Sequence, residues 1–146
     1  MNHIQIYDNA LPKESCRSII DYFESGDLKT VQGITWNAKG GNVNKDLKDS
    51  TDLYLDFDDY FDHELERKIN RLLAPVLCNG VKKYKKKFPF LDRIGYWQVV
   101  SGYNVQRFTE GQGYHQVHCE ASQVSGSERI LVWMIYLNNA KYIIHT

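Results

Sequence analysis

Ten consecutive residues, from Gly111 to Glu120, hold the densest set of side chains able to bind a metal or activate a nucleophile: Gly-Gln-Gly-Tyr-His-Gln-Val-His-Cys-Glu, with two of the five histidines. If this segment enters a strand after Gly113, side chains two apart share a face, so His118 and Glu120 point the same way and Cys119 turns back. An imidazole and a carboxylate presented by one strand, joined by a second histidine from elsewhere, make the facial triad suited to non-haem Fe(II), with coordination positions left open. Two other chemistries compete for the same residues. His115, His118, Cys119 and Glu120 could hold zinc, and Cys119 beside a histidine could act as a nucleophile. A structural zinc site takes four ligands, usually as two spaced pairs, and Cys16 and Cys78 stand alone. Nothing in the sequence around Cys119 would lower its pKa. His-x-Glu also occurs by chance as ordinary hydrogen-bonding side chains, so the surrounding elements have to decide.

Those elements begin with Cys16, Ile19, Ile20 and Phe23 behind Leu11-Pro12, a spacing that predicts a helix closed by Ser25-Gly26. Residues 33–50 are rich in Gly, Asn and Lys and read as a surface excursion with little regular structure. Leu53, Leu55 and Phe57 alternate as in a half-buried strand. Phe61, Leu65, Ile69, Leu72, Leu73 and Val76 return to helical spacing up to about Leu77, and the helix can resume through Val81 and Tyr84 to Phe88. The run Lys82, Lys83, Lys85, Lys86, Lys87 then falls where cations favour a helix C-terminus. It reads as a solvated helix end, with a nucleic-acid patch as the sharper alternative. After Phe88-Pro89 the composition turns aromatic and β-branched, over Tyr96 to Val100, Tyr103 to Phe108 and Ile130 to Leu137, and predicts a sheet. Helices followed by clustered strands without βαβ alternation imply an α+β fold, with helices on one face of an antiparallel sheet.

A chain of 146 residues with 42% hydrophobic and 25% charged residues has the size and composition of one globular domain, which argues against disorder and fibrous repeats. Eighteen Lys and Arg balance eighteen Asp and Glu, removing the long-range field that drives binding to phosphate backbones or anionic membranes. Apolar runs are shorter than a membrane span, the N-terminus has no leader-like apolar stretch, and three widely spaced cysteines suggest reduced thiols. The expectation is a cytoplasmic protein with no membrane and no nucleic-acid partner.

The block Tyr103-Asn-Val-Gln-Arg-Phe-Thr-Glu-Gly-Gln-Gly-Tyr-His-Gln-Val-His-Cys-Glu120, followed by Arg129-Ile-Leu-Val-Trp-Met-Ile-Tyr-Leu-Asn-Asn139, resembles the 2-oxoglutarate/Fe(II)-dependent oxygenases, most nearly their prolyl 4-hydroxylase-like branch. There a strand leads through a glycine-containing turn to a His-x-Asp iron motif. The Leu11-Pro12 helix and the stretch Lys48-Asp-Ser-Thr-Asp-Leu53 also look like that branch, so the resemblance covers most of the chain. It implies a double-stranded β-helix preceded by helices, within a single domain over 1–146 whose helical part is 1–90 and whose β-helix begins in 91–146. It further implies a dioxygenase that couples decarboxylation of 2-oxoglutarate to hydroxylation of a small-molecule or peptide substrate, with ascorbate as a candidate reductant. Carried over residue by residue, His118 and Glu120 are the first two iron ligands, Glu120 standing where aspartate is commoner. Tyr103 or Tyr136 contacts the 2-oxoglutarate, and Arg129 and Trp133 are structural.

Twenty-six residues follow Glu120, fewer than the remaining strands of a β-helix require. The expectation is therefore an incomplete β-helix in which the distal iron histidine and the basic residue for 2-oxoglutarate are missing, His145 being the one histidine beyond Glu120. Activity of such a chain would be impaired, and the almost uninterrupted apolar run Ile130 to Leu137 would be a central strand whose open edge pairs with a completing chain or a second copy. A non-catalytic assembly module using that edge, and a small zinc-binding protein, are the alternatives.

Overall fold

Leu11-Pro12 opens helix α1 (Lys13–Glu24), where the Cys16 N–H already donates to the Pro12 carbonyl at 3.0 Å. Ile19 and Phe23, one turn apart, are its buried residues, and the chain leaves the helix through Gly26 at φ +78°, a conformation that costs a glycine little. This is the helix the apolar spacing predicts. The structure, a computed structural model, describes residues 2–37, 40–57, 63–97, 102–115, 117 and 129–139. The chain falls into two compact units, one from residues 1–24, 56–101 and 135–146, the other from 25–55 and 102–134. Helices and short antiparallel sheets together make the fold α+β.

In the first unit α1 packs against α2 (Glu64–Lys87), one continuous helix of 24 residues that carries Pro75 in its interior. The expected break near Leu77 is absent. Its buried stripe is Glu66, Ile69, Leu73 and Leu77, at steps of three and four, while Leu65, Leu72 and Val76 are half-buried and Phe61 lies outside the described residues. Glu64 and Glu66 in the first turn and Lys85 to Lys87 in the last complement the helix dipole. Glu64 accepts from Lys68 at 2.9 Å, one turn on, which lowers the Glu64 carboxyl below its ordinary range and raises the Lys68 ammonium. Both groups are open to water, so the pair adds little to stability, and what it adds is present above the ordinary carboxyl range and lost as pH falls through it.

The stripe carries one polar residue, Glu66, because it has backbone to satisfy. Its Oε1 accepts the Asp56 N–H at 2.7 Å, and Asn70, one turn further, donates from Nδ2 to the Asp56 carbonyl at 2.7 Å. Two side chains of α2 thus hold both polar groups of one peptide position. At the other end Phe88 donates its N–H to the Tyr84 carbonyl and starts a 3-10 turn (Pro89–Arg93), with Phe88 and Leu91 buried. The N-terminal residues lie along this end: the Tyr84 hydroxyl donates to the His3 carbonyl at 2.8 Å, and the His3 ring stacks 5.3 Å from Phe88.

The second unit contains the seven strands found among the described residues. β1 (Val31–Gln32) and β6 (Tyr103–Arg107) flank β5 (Thr51–Leu55) in a three-stranded antiparallel sheet; β2 (Thr35–Asn37) pairs with β3 (Gly40–Asn42), and β4 (Lys48–Asp49) with β7 (Gly113–Tyr114). β5 is the strand expected from Leu53 and Leu55, both buried, whereas Phe57 lies beyond its end. Two expectations are corrected. Residues 33–50 are not an irregular surface excursion: they carry β2, β3 and β4, and Gly33, Thr35, Lys48 and Ser50 are buried. Their polar groups are sequestered by cross-strand partners, which composition does not reveal. Ile130 to Leu137 joins no ladder among the described residues; Ile130, Val132, Met134 and Tyr136 are exposed and the residues between them half-buried. The period of two is that of extended chain, but a run covered on one side in this way is not a doubly covered central strand. Trp97 likewise lies outside any strand, and Gln98 to Val100 lie outside the described residues.

Replacing Glu66 by Ala should remove the acceptor that the half-buried Asp56 N–H uses and lower stability by about 1 kcal/mol, whereas Gln, which keeps an acceptor oxygen, should lose less; urea denaturation of the three proteins checks the order.

Candidate functional site

Strands β4 and β5 form one line of chain interrupted only at Ser50, and the line opposite them is interrupted far more. Along it Leu55 pairs with Tyr103, Leu53 with Val105, Asp52 with Gln106 and Thr51 with Arg107; beyond Ser50 the register resumes with Asp49 opposite Gly113 and Lys48 opposite Tyr114. One residue, Ser50, therefore faces a five-residue excursion, 108–112. The excursion closes on itself: Gln112 donates its N–H to the Thr109 carbonyl at 3.0 Å, the Thr109 N–H donates to Gln112 Oε1 at 2.9 Å, and Gly111 sits at φ +82°, where a side chain is strained. After it the pairing extends one residue past β7, with the His115 N–H donating to the Leu47 carbonyl at 2.8 Å.

At the interruption lies the most deeply buried polar cluster of the unit. Lys48, Ser50 and Asp52, at alternate positions, share one side of the chain, and all three are buried. Lys48 Nζ is 2.6 Å from Asp52 Oδ2, Ser50 Oγ donates to Asp52 Oδ1 at 2.7 Å, and Gln106 Nε2 donates to Asp52 Oδ2 at 3.1 Å. The Lys48 ammonium also lies 5.7 Å from the centre of the Tyr114 ring. Gln32 ties in the edge strand, its Nε2 donating to Asp49 Oδ1 at 3.0 Å and to the Ser50 carbonyl at 2.8 Å. Gly33 is packed against this cluster: a Cβ there would collide with Ser50 Oγ and lie 3.0 Å from Lys48 Cε.

Of the residues singled out in the sequence, His118, Cys119, Glu120 and His145 lie outside the described residues. His115 is described; its side chain is exposed and its imidazole lies over Gly113, two residues back, where a Cβ would stand 2.9 Å from Cε1. Tyr103, the candidate 2-oxoglutarate contact, is half-buried with its ring 5.7 Å from that of Trp133, so the structure brings these two together. Tyr136 belongs to the other unit and is exposed. Among the described residues no three His, Cys, Asp or Glu side chains gather as a metal site.

The lysine run is largely engaged within its own unit. Lys83 lies over the Tyr7 ring, Lys87 donates to Gln5 Oε1 at 2.7 Å, and Lys85 pairs with Asp92 and lies over Trp97. Lys82 and Lys85 rim a cavity of about 450 Å³ floored by Leu77, Val81 and Leu91 and walled by Trp97, whose indole N–H donates to the Leu91 carbonyl at 3.2 Å. Sequence reasoning missed both this cavity and the Lys48 cluster. The cluster had a signal: Lys, Ser and Asp at alternate positions leading into the buried run of β5.

Gly33→Ala should displace Ser50 Oγ from Asp52 and lower stability by about 1–3 kcal/mol, an overpacking cost read from the denaturation midpoint, while Gly95→Ala, at a position with open space around it, should leave the midpoint little changed.

Set against known proteins, the chain matches no family model, and no curated protein and no solved structure is similar enough to count as a relative.

Proposed function

We propose that this chain is a 2-oxoglutarate/Fe(II)-dependent oxygenase of the prolyl 4-hydroxylase-like type, acting as a hydroxylase on a small-molecule or peptide substrate. One observation carries the reading. Two stretches that take part in the resemblance, 48–53 and 103–114, are about fifty residues apart in sequence and are neighbours in antiparallel register, with the pairing running on to His115, three residues short of His118. A glycine-containing turn lies between the strand and the ligand segment, as the family pattern requires.

His118 and Glu120 supply an imidazole nitrogen and a carboxylate oxygen, a donor pair suited to Fe(II). Bound there with 2-oxoglutarate, Fe(II) supplies the oxidising power for hydroxylation while the co-substrate is decarboxylated. The chain's own residues do the rest: the Leu47 carbonyl holds the backbone entering the ligand segment, and Trp133 orients the Tyr103 ring. In this reading the fold grows into a double-stranded β-helix from the β4–β7 and β5–β6 pairings.

A non-catalytic assembly module is the second reading, favoured by the alternately exposed apolar side chains Ile130, Val132, Met134 and Tyr136. One experiment separates the two. Under anaerobic conditions Fe(II) and 2-oxoglutarate added together should give a visible charge-transfer absorption that neither gives alone, and His118→Ala should abolish it. A folded protein with no absorption, whose sedimentation shows self-association that Val132→Asp and Met134→Asp remove, would be the assembly module.

A further inference from the structure

Net neutrality of the whole chain hides a local imbalance. Between Lys82 and Trp97 six cations, Lys82, Lys83, Lys85, Lys86, Lys87 and Arg93, stand against one anion, Asp92. Of the six, Lys85 alone has an acid partner among the described residues. Lys83 lies over the Tyr7 ring and Lys87 donates to the Gln5 side chain, neutral partners that leave each charge in place. The carbonyl end of α2 offsets only about half a charge. All of these cations except Lys85 are exposed, so the excess is presented to solvent. Apolar side chains are exposed in the same stretch. In the 3-10 turn a period of three puts Phe90 and Arg93 on one edge while Leu91 is buried. Phe90 is 52% exposed, Ile94 39% and Tyr96 89%. Lys85 pairs with Asp92 and lies over the Trp97 ring, and Lys82 borders the same opening as Tyr96, so the basic face of α2 and the chain returning from the turn meet in one surface. Lys86, one turn beyond Lys82, continues that face. Cations set among uncovered apolar side chains match the boundary between anionic lipid headgroups and acyl chains, which accepts both.

The same residues fit a nucleic acid less well. Residues 82–97 contain no Ser, Thr, Asn or Gln, the neutral side chains that hold sugars and base edges, and the Tyr84 hydroxyl is committed to the His3 carbonyl. Ile94 has no ring on which a base could stack. We infer that the C-terminal end of α2 and the turn after it form a docking surface for an anionic lipid bilayer, with Lys82, Lys86 and Arg93 meeting the headgroups and Phe90 and Tyr96 entering the interface. The contact is peripheral: among the described residues no helix is long and apolar enough to cross a membrane. Charge balance over the whole chain implies no membrane partner, whereas its distribution within the first unit implies one at this end. The inference concerns that unit alone and does not depend on the oxygenase reading.

The test sediments the full chain with phosphatidylcholine vesicles, with and without phosphatidylserine. Wild-type protein should bind the phosphatidylserine vesicles, lose that binding as salt is raised, and leave phosphatidylcholine alone largely unbound. Lys82→Glu with Lys86→Glu should weaken the binding about tenfold or more. Lys13→Glu with Lys29→Glu, the same change in net charge at exposed positions elsewhere, should weaken it far less. Phe90→Ser with Tyr96→Ser should also weaken it, and the binding that remains should be more sensitive to salt. Every substituted side chain is exposed, circular dichroism and thermal unfolding check that each variant folds, and either pair within the surface decides the matter if the other fails to fold. Wild-type protein that does not bind phosphatidylserine vesicles at low salt overturns the inference, as does an equal loss in the two charge variants. A thymidine oligonucleotide that binds more tightly than the vesicles, with no effect of Phe90→Ser and Tyr96→Ser, would make this a nucleic-acid surface and overturns it as well.

Discussion

An ammonium and a carboxylate 2.6 Å apart, each about nineteen parts in twenty withdrawn from water, sit where the β4–β7 pairing is separated from the β5–β6 pairing. Taking either charge out of water alone is costly, and the pair is sustained because each partner has further ones: Ser50 and Gln106 complete the Asp52 carboxylate, and the Tyr114 ring lies under Lys48. Such a pair adds little net stability compared with apolar groups of the same shape, yet losing one member is expensive because it strands the other. Its effect is to penalise every arrangement except one. Among strands two to five residues long, where backbone pairing is brief, that penalty favours the pairing observed.

The opposite side of the same chain works by different physics. Leu53 and Leu55 are buried, and their alternation with Asp52 and Tyr54 is an ordinary strand pattern. β5 is thus buried at Leu53 and Leu55 by apolar contact and at Asp52 by polar saturation, and only Tyr54 reaches solvent along its centre. The first unit repeats the theme: α2 presents an apolar stripe, and the one charged residue in it, Glu66, is there to accept a backbone N–H. In both units a buried charge marks a place where the chain's path has to be specified.

This division explains what could be read from the sequence. The two helices and β5 were legible because burial there follows apolar period, whether of three and four, as in Ile69, Leu73 and Leu77, or of two, as in Leu53 and Leu55. Lys48, Ser50 and Thr35 were not, since their burial comes from partners in other strands and a polar run is indistinguishable from a solvated loop until those partners are placed. Pro75 did not end α2, because helix length was set by a stripe continuing past it on both sides. Ile130 to Leu137 shows the converse failure: apolar, β-branched composition foretold extended chain, but whether one face or two is covered depends on neighbours that composition does not name. His118 and Glu120 were singled out by residue type, spacing and resemblance, and they lie outside the described residues.

Electrostatics constrains how such a site could work. 2-Oxoglutarate carries two negative charges, and a chain with no net charge offers no long-range attraction for it, so capture depends on a cation held locally. Lys48 is the one buried lysine among the described residues and stands nearest in the ladder to the ligand segment, which would make it the obvious anchor. It cannot serve. Withdrawing its ammonium from Asp52 would leave a buried carboxylate facing an incoming dianion, so the approach would be opposed twice, by a broken ion pair and by like charge. If the chain binds 2-oxoglutarate as proposed, the basic group that meets its carboxylate would have to come from a part of the protein other than this cluster.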